Sequence, residues 1–186
     1  MNLNVLQGCG VVKKYQKGEF ICLEKEVGST AFLQLQGKAD VKLSSFKDQP
    51  KTVATLDAGV IFGEMSLLEN KPRTASVIVS SNEAMVLVIE KDNFLSILRA
   101  DPEIAYDLLQ TMVGRMENSL ERMRDINIPF LATFRRDKFY PQIKSLTKEQ
   151  YQMIVRTDSE HTMRIAKFLS HSLATIDEEM AKRGFL

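Results

Sequence analysis

The chain has 186 residues, of which 44% are hydrophobic and 26% charged, enough apolar surface for one domain with an extension or for two small domains. The formal net charge of +1 creates no overall field that would attract nucleic acid or an anionic membrane. No apolar run approaches the ~20 residues that span a bilayer. Because Met1–Asn4 lacks the basic and apolar blocks of a signal peptide, we expect a cytoplasmic protein with no membrane association.

Short strands are predicted from residue 10 to about residue 90, where apolar side chains recur with a period near two. Phe20–Leu23 and Ala31–Leu35 are apolar runs, and the second is followed by a hairpin-like turn around Gly37. Val86–Ile89 is rich in β-branched residues. Short strands at spacings of roughly 8–12 residues indicate a β-sandwich or β-roll.

The segment from Phe62 to Val77 places an acid and an arginine among residues that otherwise look like core. A buried charge is unfavourable unless something pairs with it, so the two groups indicate either an internal salt bridge or a ligand with a hydroxyl and an anion. Arg73 can present a planar fork of donors to a phosphodiester, and Glu64 can accept a bond from a ribose 2′-hydroxyl. The predicted ligand-binding residues are Phe62, Gly63, Glu64, Met65, Ser66, Arg73, Thr74 and Ala75.

The same segment also indicates what kind of phosphate it would bind. Gly63 would let a ligand approach the backbone, and residues 64–69 predict a short helix whose amide N–H groups face an anion. Ser66 and Thr74 can add hydroxyl or amide donors, and the small Ala75 permits close approach. The segment has neither the Gly-Lys-Ser/Thr of a P-loop nor paired aspartates for Mg²⁺. It therefore predicts a singly charged phosphate bound without a metal or cofactor.

A long helix is predicted after Asp101, which can act as N-cap before Pro102 at the first helical position. We expect this helix to run to about Arg124, with a broad apolar stripe that packs on a body or a partner. Part of the stripe could instead form a lid over a nucleotide base, because methionine adapts to irregular surfaces. The lid residues would be Met112, Met116 and Leu120.

The remainder of the chain is also helical in character. Ile128-Pro129 and Tyr140-Pro141 predict breaks, and Thr147 begins a capping box that opens a short helix. Thr157 begins a second capping box, which predicts a longer helix that Gly184 could end.

These patterns together predict an α+β fold, in which an antiparallel, jelly-roll-like β-roll is followed by a long helix and a helical C-terminal extension. The predicted domain comprises residues 1–125, with the roll at about 10–90 and helices at about 91–125. The extension comprises residues 126–186.

The segment around Arg73 resembles the phosphate-binding cassette of the cyclic nucleotide-binding domain family, which includes the catabolite activator protein and the regulatory subunits of cyclic-nucleotide-dependent kinases. The resemblance covers roughly residues 10–125. Lys25 stands where the family commonly has glycine, in a turn that we expect to lie away from the ligand, and Val60 replaces a frequent acid. The early strands and turns of the family are matched by Lys17–Ile21, Glu24–Glu26, Gly28-Ser29, Phe32–Leu35 and Gly37-Lys38. The segment that precedes the cassette in the family is matched by Ala54–Gly59.

This resemblance implies a non-catalytic sensor of cAMP or cGMP, in which ligand binding moves the C-terminal helices. It implies a homodimer through the helix at about 102–124. A threonine directly after the arginine, as at Thr74, can favour guanine in this family, but both ligands stay open. The extension is expected to form a helical cap or to dock a protein partner.

A transcription regulator with a divergent helix-turn-helix at about residues 160–184 is the alternative interpretation. Ser170 stands where the turn glycine is usual, and the acidic Asp177, Glu178 and Glu179 would be repelled by phosphates. DNA is therefore not an expected partner.

Overall fold

The computed structural model describes residues 8–44, 50–122 and 139–182. It contains the predicted α+β architecture, in which strands come first and a long helix and a helical tail follow, so that prediction is confirmed. The strands are β1 (Val11–Gln16), β2 (Phe20–Cys22), β3 (Thr30–Gln36), β4 (Ala39–Leu43), β5 (Lys51–Leu56), β6 (Ile61–Phe62), β7 (Ser76–Val79) and β8 (Glu83–Glu90). The helices of the described ranges are α1 (Glu64–Glu69), α2 (Lys91–Ala100), α3 (Pro102–Arg122), α4 (Phe139–Ser145), α5 (Lys148–Thr157) and α6 (Ser159–Lys182).

The strands form two antiparallel four-stranded sheets, in the orders β1-β8-β3-β6 and β2-β7-β4-β5. Successive side chains of a strand point to opposite faces, so one face of each sheet can be apolar and buried. Phe32 and Val86 from the first sheet share one buried cluster with Cys22 and Val77 from the second. The core of the roll therefore lies between the sheets. Gly37, with φ of 79°, makes the predicted turn between β3 and β4.

The short helix α1 lies between β6 and β7, with the bounds that the sequence predicted. Its residues Met65, Leu67 and Leu68 are buried, and each such side chain contributes about 1.5–3 kcal/mol when removed from water. The helix begins after Gly63 and ends at Asn70, and both flanking residues have left-handed backbone conformations. Apolar packing therefore fixes α1 on the roll, beside the segment that carries Arg73.

The chain divides into two compact units after Ile97, within α2. Helix α3 consequently groups with α5 and α6, against which it packs, and not with the strands. The predicted domain boundary at residue 125 is later than this structural division. Seven residues of the apolar stripe are buried, namely Ile104, Ala105, Leu108, Leu109, Met112, Val113 and Met116.

Two helix starts in the second unit form as the sequence predicts. The Asp101 carboxylate accepts bonds from the backbone N–H groups of Glu103 and Ile104, at 2.9 and 3.0 Å. The Thr147 hydroxyl accepts from the Gln150 N–H, while the Gln150 side chain accepts from the Thr147 N–H. The N-cap of α3 and the capping box of α5 are therefore confirmed.

The predicted start of α6 is displaced by one residue. The cap is Asp158, whose carboxylate accepts from the N–H groups of Glu160 and His161 at 3.1 and 3.2 Å. Thr157 is instead the last residue of α5, and its hydroxyl donates to the Ile154 carbonyl at 2.8 Å. The prediction that Thr157 begins the capping box is therefore wrong, because Thr157 is still helical and Asp158 has the extended backbone conformation of an N-cap.

The two predicted breaks and the predicted helix end fall at or beyond the limits of the described ranges. Tyr140-Pro141 lies inside the first turn of α4, which begins at Phe139; the residues before Phe139 lie outside the described ranges, so the break predicted there stays a prediction. A proline is tolerated in the first turn because the N–H groups there have no intrahelical acceptor. Ile128-Pro129 and Gly184 lie outside the described residues.

Helix α6 is uninterrupted from Ser159 to Lys182. Ser170, where a helix-turn-helix would need its turn, is fully buried in the middle of this helix. The alternative of a helix-turn-helix at about residues 160–184 is therefore wrong across the described part of that segment. None of the helices in the described ranges has both the length and the hydropathy needed to cross a membrane.

Candidate functional site

Arg73 is placed by backbone pairing between two loops of the roll. The Lys25 N–H donates to the Arg73 carbonyl at 2.9 Å, and the Arg73 N–H donates to the Glu26 carbonyl at 2.8 Å. Val27 and Pro72 form a β-bridge beside this pair. The turn of Lys25 therefore pairs with the backbone of Arg73, and its expected position away from the ligand stays a prediction. Lys25 also has φ of 69°, a conformation that glycine adopts with less strain.

The guanidinium of Arg73 is enclosed by oxygen acceptors. Nη1 donates to the Gly63 carbonyl at 2.6 Å and to the Ser66 hydroxyl at 2.8 Å. Nη2 donates to the Thr30 carbonyl at 2.6 Å and to the Thr30 hydroxyl at 3.2 Å. Only 7% of Arg73 is exposed, so these bonds compensate for much of the hydration that the cation has lost.

Two glycines and an aromatic ring complete the surroundings of the guanidinium. A Cβ on Gly28 would lie 2.7 Å from Arg73 Cζ, and a Cβ on Gly63 would lie 2.7 Å from Arg73 Nη1. The Phe32 ring centroid is 5.1 Å from Arg73 Cζ, within the range of a cation–π contact. Phe32 in turn stacks on Phe62 at 5.1 Å between ring centroids. The sequence prediction gave Gly63 the role of admitting a ligand, but in this structure it is the arginine that needs the space.

Glu64 begins α1 and is only 1% exposed. Burial lowers the pKa of the Arg73 guanidinium, while electrostatic interactions with Cys22, Glu64 and Glu26 act in the opposite direction. Arginine has so high an intrinsic pKa that it stays protonated despite this shift. The site therefore combines a permanent buried cation with a buried carboxyl group one residue after Gly63, which matches an anion next to a hydroxyl.

The structure brings most of the predicted cassette residues to one place. Gly63 and Ser66 contact Arg73 directly, and Phe62 supports the ring that lies against it. Met65 is buried in the roll, whereas Thr74 is exposed. Ala75 is half-buried. Whether each of these residues touches a ligand stays a prediction.

Three residues of this site were not among the predicted ligand-binding residues: Gly28, Thr30 and Phe32. Gly28 and Phe32 were noted only as matches to turns and strands of the family. The signal that could have found Thr30 is the strand period, because Thr30 and Phe32 lie on the same face of β3. Thr30 and Arg73 are 43 residues apart in the sequence, so no local sequence pattern could have predicted their contact.

The predicted lid residues lie on α3. Met112 and Met116 are fully buried within the helical unit, and Leu120 is half-buried. Their role as a base lid stays a prediction.

Comparisons with known proteins agree with this geometry. The family model "Cyclic nucleotide-binding domain" matches residues 12–101. Human cGMP-dependent protein kinase 2 is 39% identical over 87 residues, which cover 46% of this chain and 11% of the kinase. The Cyclic AMP receptor protein of Thermus thermophilus is 29% identical over 105 residues, which cover 56% of this chain and 48% of that protein. The chain thus matches less than two thirds of the length of either relative.

Solved structures show the same fold. A transcriptional regulator from Thermotoga maritima superimposes with a TM-score of 0.61 over 68% of this chain and 98% of the regulator. Its sequence is 20% identical, so this likeness concerns the fold alone. The family match, the two curated relatives and the arginine site in the roll lead to one conclusion: this chain carries a domain of the cyclic nucleotide-binding family.

Proposed function

We propose that this protein is a non-catalytic sensor that binds a 3′,5′-cyclic nucleotide in its β-roll. The observation that carries the proposal is the buried guanidinium of Arg73, held at the end of a short helix next to the buried Glu64. A monoanionic phosphodiester with a neighbouring ribose hydroxyl fits these two groups without a metal. The names of the relatives, a cGMP-dependent kinase and a cyclic AMP receptor, support the same ligand class.

Each group of the site has a role in this proposal. Arg73 binds the exocyclic phosphate oxygens through its planar fork, which suits two parallel hydrogen bonds. Glu64 accepts a hydrogen bond from the ribose 2′-hydroxyl. Ser66, Thr74 and Ala75 line the phosphate position as donors or as small neighbours. Recognition of the base is assigned to Thr74 and to the lid on α3, which do not distinguish the two bases, so both cAMP and cGMP remain candidates.

The proposed output is a movement of the C-terminal helices. Helix α3 buries its apolar stripe against α5 and α6, so a ligand that displaces α3 would carry these helices with it. A ligand shifts such an equilibrium only by its difference in affinity for the two states. The helical extension would then present a changed surface to a protein partner in the cytoplasm.

A homodimer through α3 remains part of the proposal. Because the apolar stripe packs within the chain's own helical unit, the dimer interface would use the residues that this packing leaves exposed. Thr111, Arg115 and Asn118 are the exposed positions in the middle of α3. Sedimentation of the purified chain with and without cyclic nucleotide would test the dimer.

The experiment that tests the binding site compares two arginine variants by titration calorimetry with cAMP and cGMP. Arg73→Ala should weaken binding by a few kcal/mol, as expected for a buried, charge-assisted contact. Arg99→Ala is the matched control, because Arg99 pairs with Glu160 on the surface at 3.0 Å. Equal affinities of Arg73→Ala and Arg99→Ala for the nucleotide would place the phosphate elsewhere.

A further inference from the structure

The terminal nitrogens of Arg73 have acceptors within the protein itself. An arginine carries four N–H groups on Nη1 and Nη2. Four bonds from these nitrogens are present, to the Gly63 carbonyl, the Ser66 hydroxyl, the Thr30 carbonyl and the Thr30 hydroxyl. A phosphate that binds through these nitrogens therefore competes with acceptors of the protein itself.

The four acceptors differ in how easily a ligand can displace them from Arg73. The two carbonyl oxygens, at 2.6 Å, belong to backbone that the surrounding strands and helix fix. The Ser66 hydroxyl also donates to the Gly63 carbonyl at 3.1 Å, which restrains it further. The Thr30 hydroxyl makes the longest of the four contacts, at 3.2 Å, and is attached through a single rotatable bond. It is thus the acceptor that a ligand replaces with least disturbance.

We propose that the Thr30 hydroxyl is a placeholder for a phosphate oxygen: it satisfies Arg73 Nη2 in the free protein, and the ligand displaces it. This inference rests on the proposed function, and it makes Thr30 a residue that sets the affinity of the site. The hydroxyl competes with the ligand, so removing it destabilises the free protein more than the complex. Cyclic nucleotides should therefore bind more tightly when this hydroxyl is absent.

Thr30 can be altered without disturbing its strand. It is the first residue of β3 and pairs with Glu90 of β8, so its backbone position is held by the sheet. Valine has the same shape and the same strand preference as threonine, and it keeps the carbonyl that contacts Nη2. Thr30→Val therefore removes the hydroxyl alone. Thr30→Ser retains a hydroxyl and serves as the conservative variant that should restore wild-type behaviour.

The first measurement needs no ligand. In protein with ¹⁵N-labelled arginine, NMR resolves the side-chain N–H groups of a guanidinium whose rotation is restricted. Thr30→Val should shift the Nη2 signals of Arg73 and leave the Nη1 signals in place, whereas Ser66→Ala should do the reverse. Nη2 signals that are the same in wild type and Thr30→Val would overturn the inference, whatever the protein binds.

The second measurement is calorimetry with cAMP and cGMP. Thr30→Val should bind the nucleotide about 2- to 10-fold more tightly than wild type, the range expected for one displaced hydrogen bond. Thr30→Ser should match wild type. Thr55→Val is the control, because the exposed Thr55 hydroxyl donates to Asp40 at 2.9 Å on the surface. In an Arg73→Ala background Thr30→Val should change nothing, since the hydroxyl acts through the arginine.

The two measurements distinguish a failure of this inference from a failure of the proposed function. If wild type binds neither nucleotide, the proposed function fails, and inorganic phosphate then replaces the nucleotide with the same expected order of affinities. Unchanged or weaker binding by Thr30→Val, or an effect that persists without Arg73, would overturn the placeholder role even if the nucleotide binds.

Discussion

Gly28→Ala should weaken nucleotide binding while leaving the fold intact. A Cβ at this position would lie 2.4 Å from the Ser66 hydroxyl oxygen and 2.7 Å from both Cζ and Nε of Arg73. Ordinary contacts of a Cβ begin near 3.4 Å. The atoms that it meets are the ends of side chains and not backbone, so they can move aside and the roll can still form.

The distances give the size of the effect. Restoring a contact of 3.4 Å from 2.7 Å requires the guanidinium to move by about 0.7 Å. Its bonds of 2.6 Å to the Gly63 and Thr30 carbonyls would then lengthen towards the limit of a hydrogen bond, and its fork would no longer point at the phosphate position. Losing about one charge-assisted hydrogen bond weakens binding by about 1.5–3 kcal/mol, or roughly 10- to 150-fold in Kd.

Calorimetry with whichever of cAMP and cGMP binds would measure this loss, and urea unfolding would show that the variant is folded. Gly8→Ala is the matched control, because a Cβ there meets nothing within 4 Å. If Gly28→Ala binds the nucleotide as tightly as Gly8→Ala while remaining folded, the position of Arg73 does not control binding, and the reasoning is refuted.

Three further variants test other parts of the site and of the fold. Glu64→Gln should reduce the difference in affinity between a cyclic nucleotide and its 2′-deoxy analogue by about 1.5–3 kcal/mol, and calorimetry that finds the same difference in both proteins would contradict the ribose contact. Lys25→Gly should stabilise the protein by about 0.5–1 kcal/mol in urea unfolding, because the left-handed conformation suits glycine, whereas Lys25→Ala should give no such gain. Burial raises the pKa of the Asp177 carboxyl, against the charges of Arg115 and Arg122, so the folded protein binds the proton more tightly than the unfolded chain. Asp177→Asn should therefore be more stable than wild type at neutral pH and lose this advantage as the pH falls through the raised pKa, and an advantage that did not depend on pH would contradict the assignment.

Local patterns in the sequence predicted the local parts of the structure. The acid at Asp101 and the box at Thr147 cap their helices because a side chain and the amides it accepts from are only two or three residues apart. The bounds of α1 followed from Gly63 and the apolar residues after it. The cassette was recognisable for the same reason, since Gly63, Glu64 and Arg73 lie within one short stretch.

What the sequence did not reveal depends on contacts between distant segments. The pairing of Lys25 and Glu26 with the backbone of Arg73 joins loops on either side of four strands. The contact of Thr30 with the guanidinium has the same origin, so neither residue stood out in a single sequence. The choice between Thr157 and Asp158 as a cap is a different case, because both residue types can cap a helix and only their backbone geometry decides.

The most direct test of the central claim is titration calorimetry of the purified wild-type chain with cAMP and with cGMP, using 5′-AMP as the non-cyclic control. The site built on Arg73 and Glu64 predicts that at least one cyclic nucleotide binds at micromolar concentration or tighter, without added metal, and that 5′-AMP binds far more weakly. Binding of neither cyclic nucleotide at micromolar concentration would contradict the claim that this chain is a cyclic nucleotide sensor.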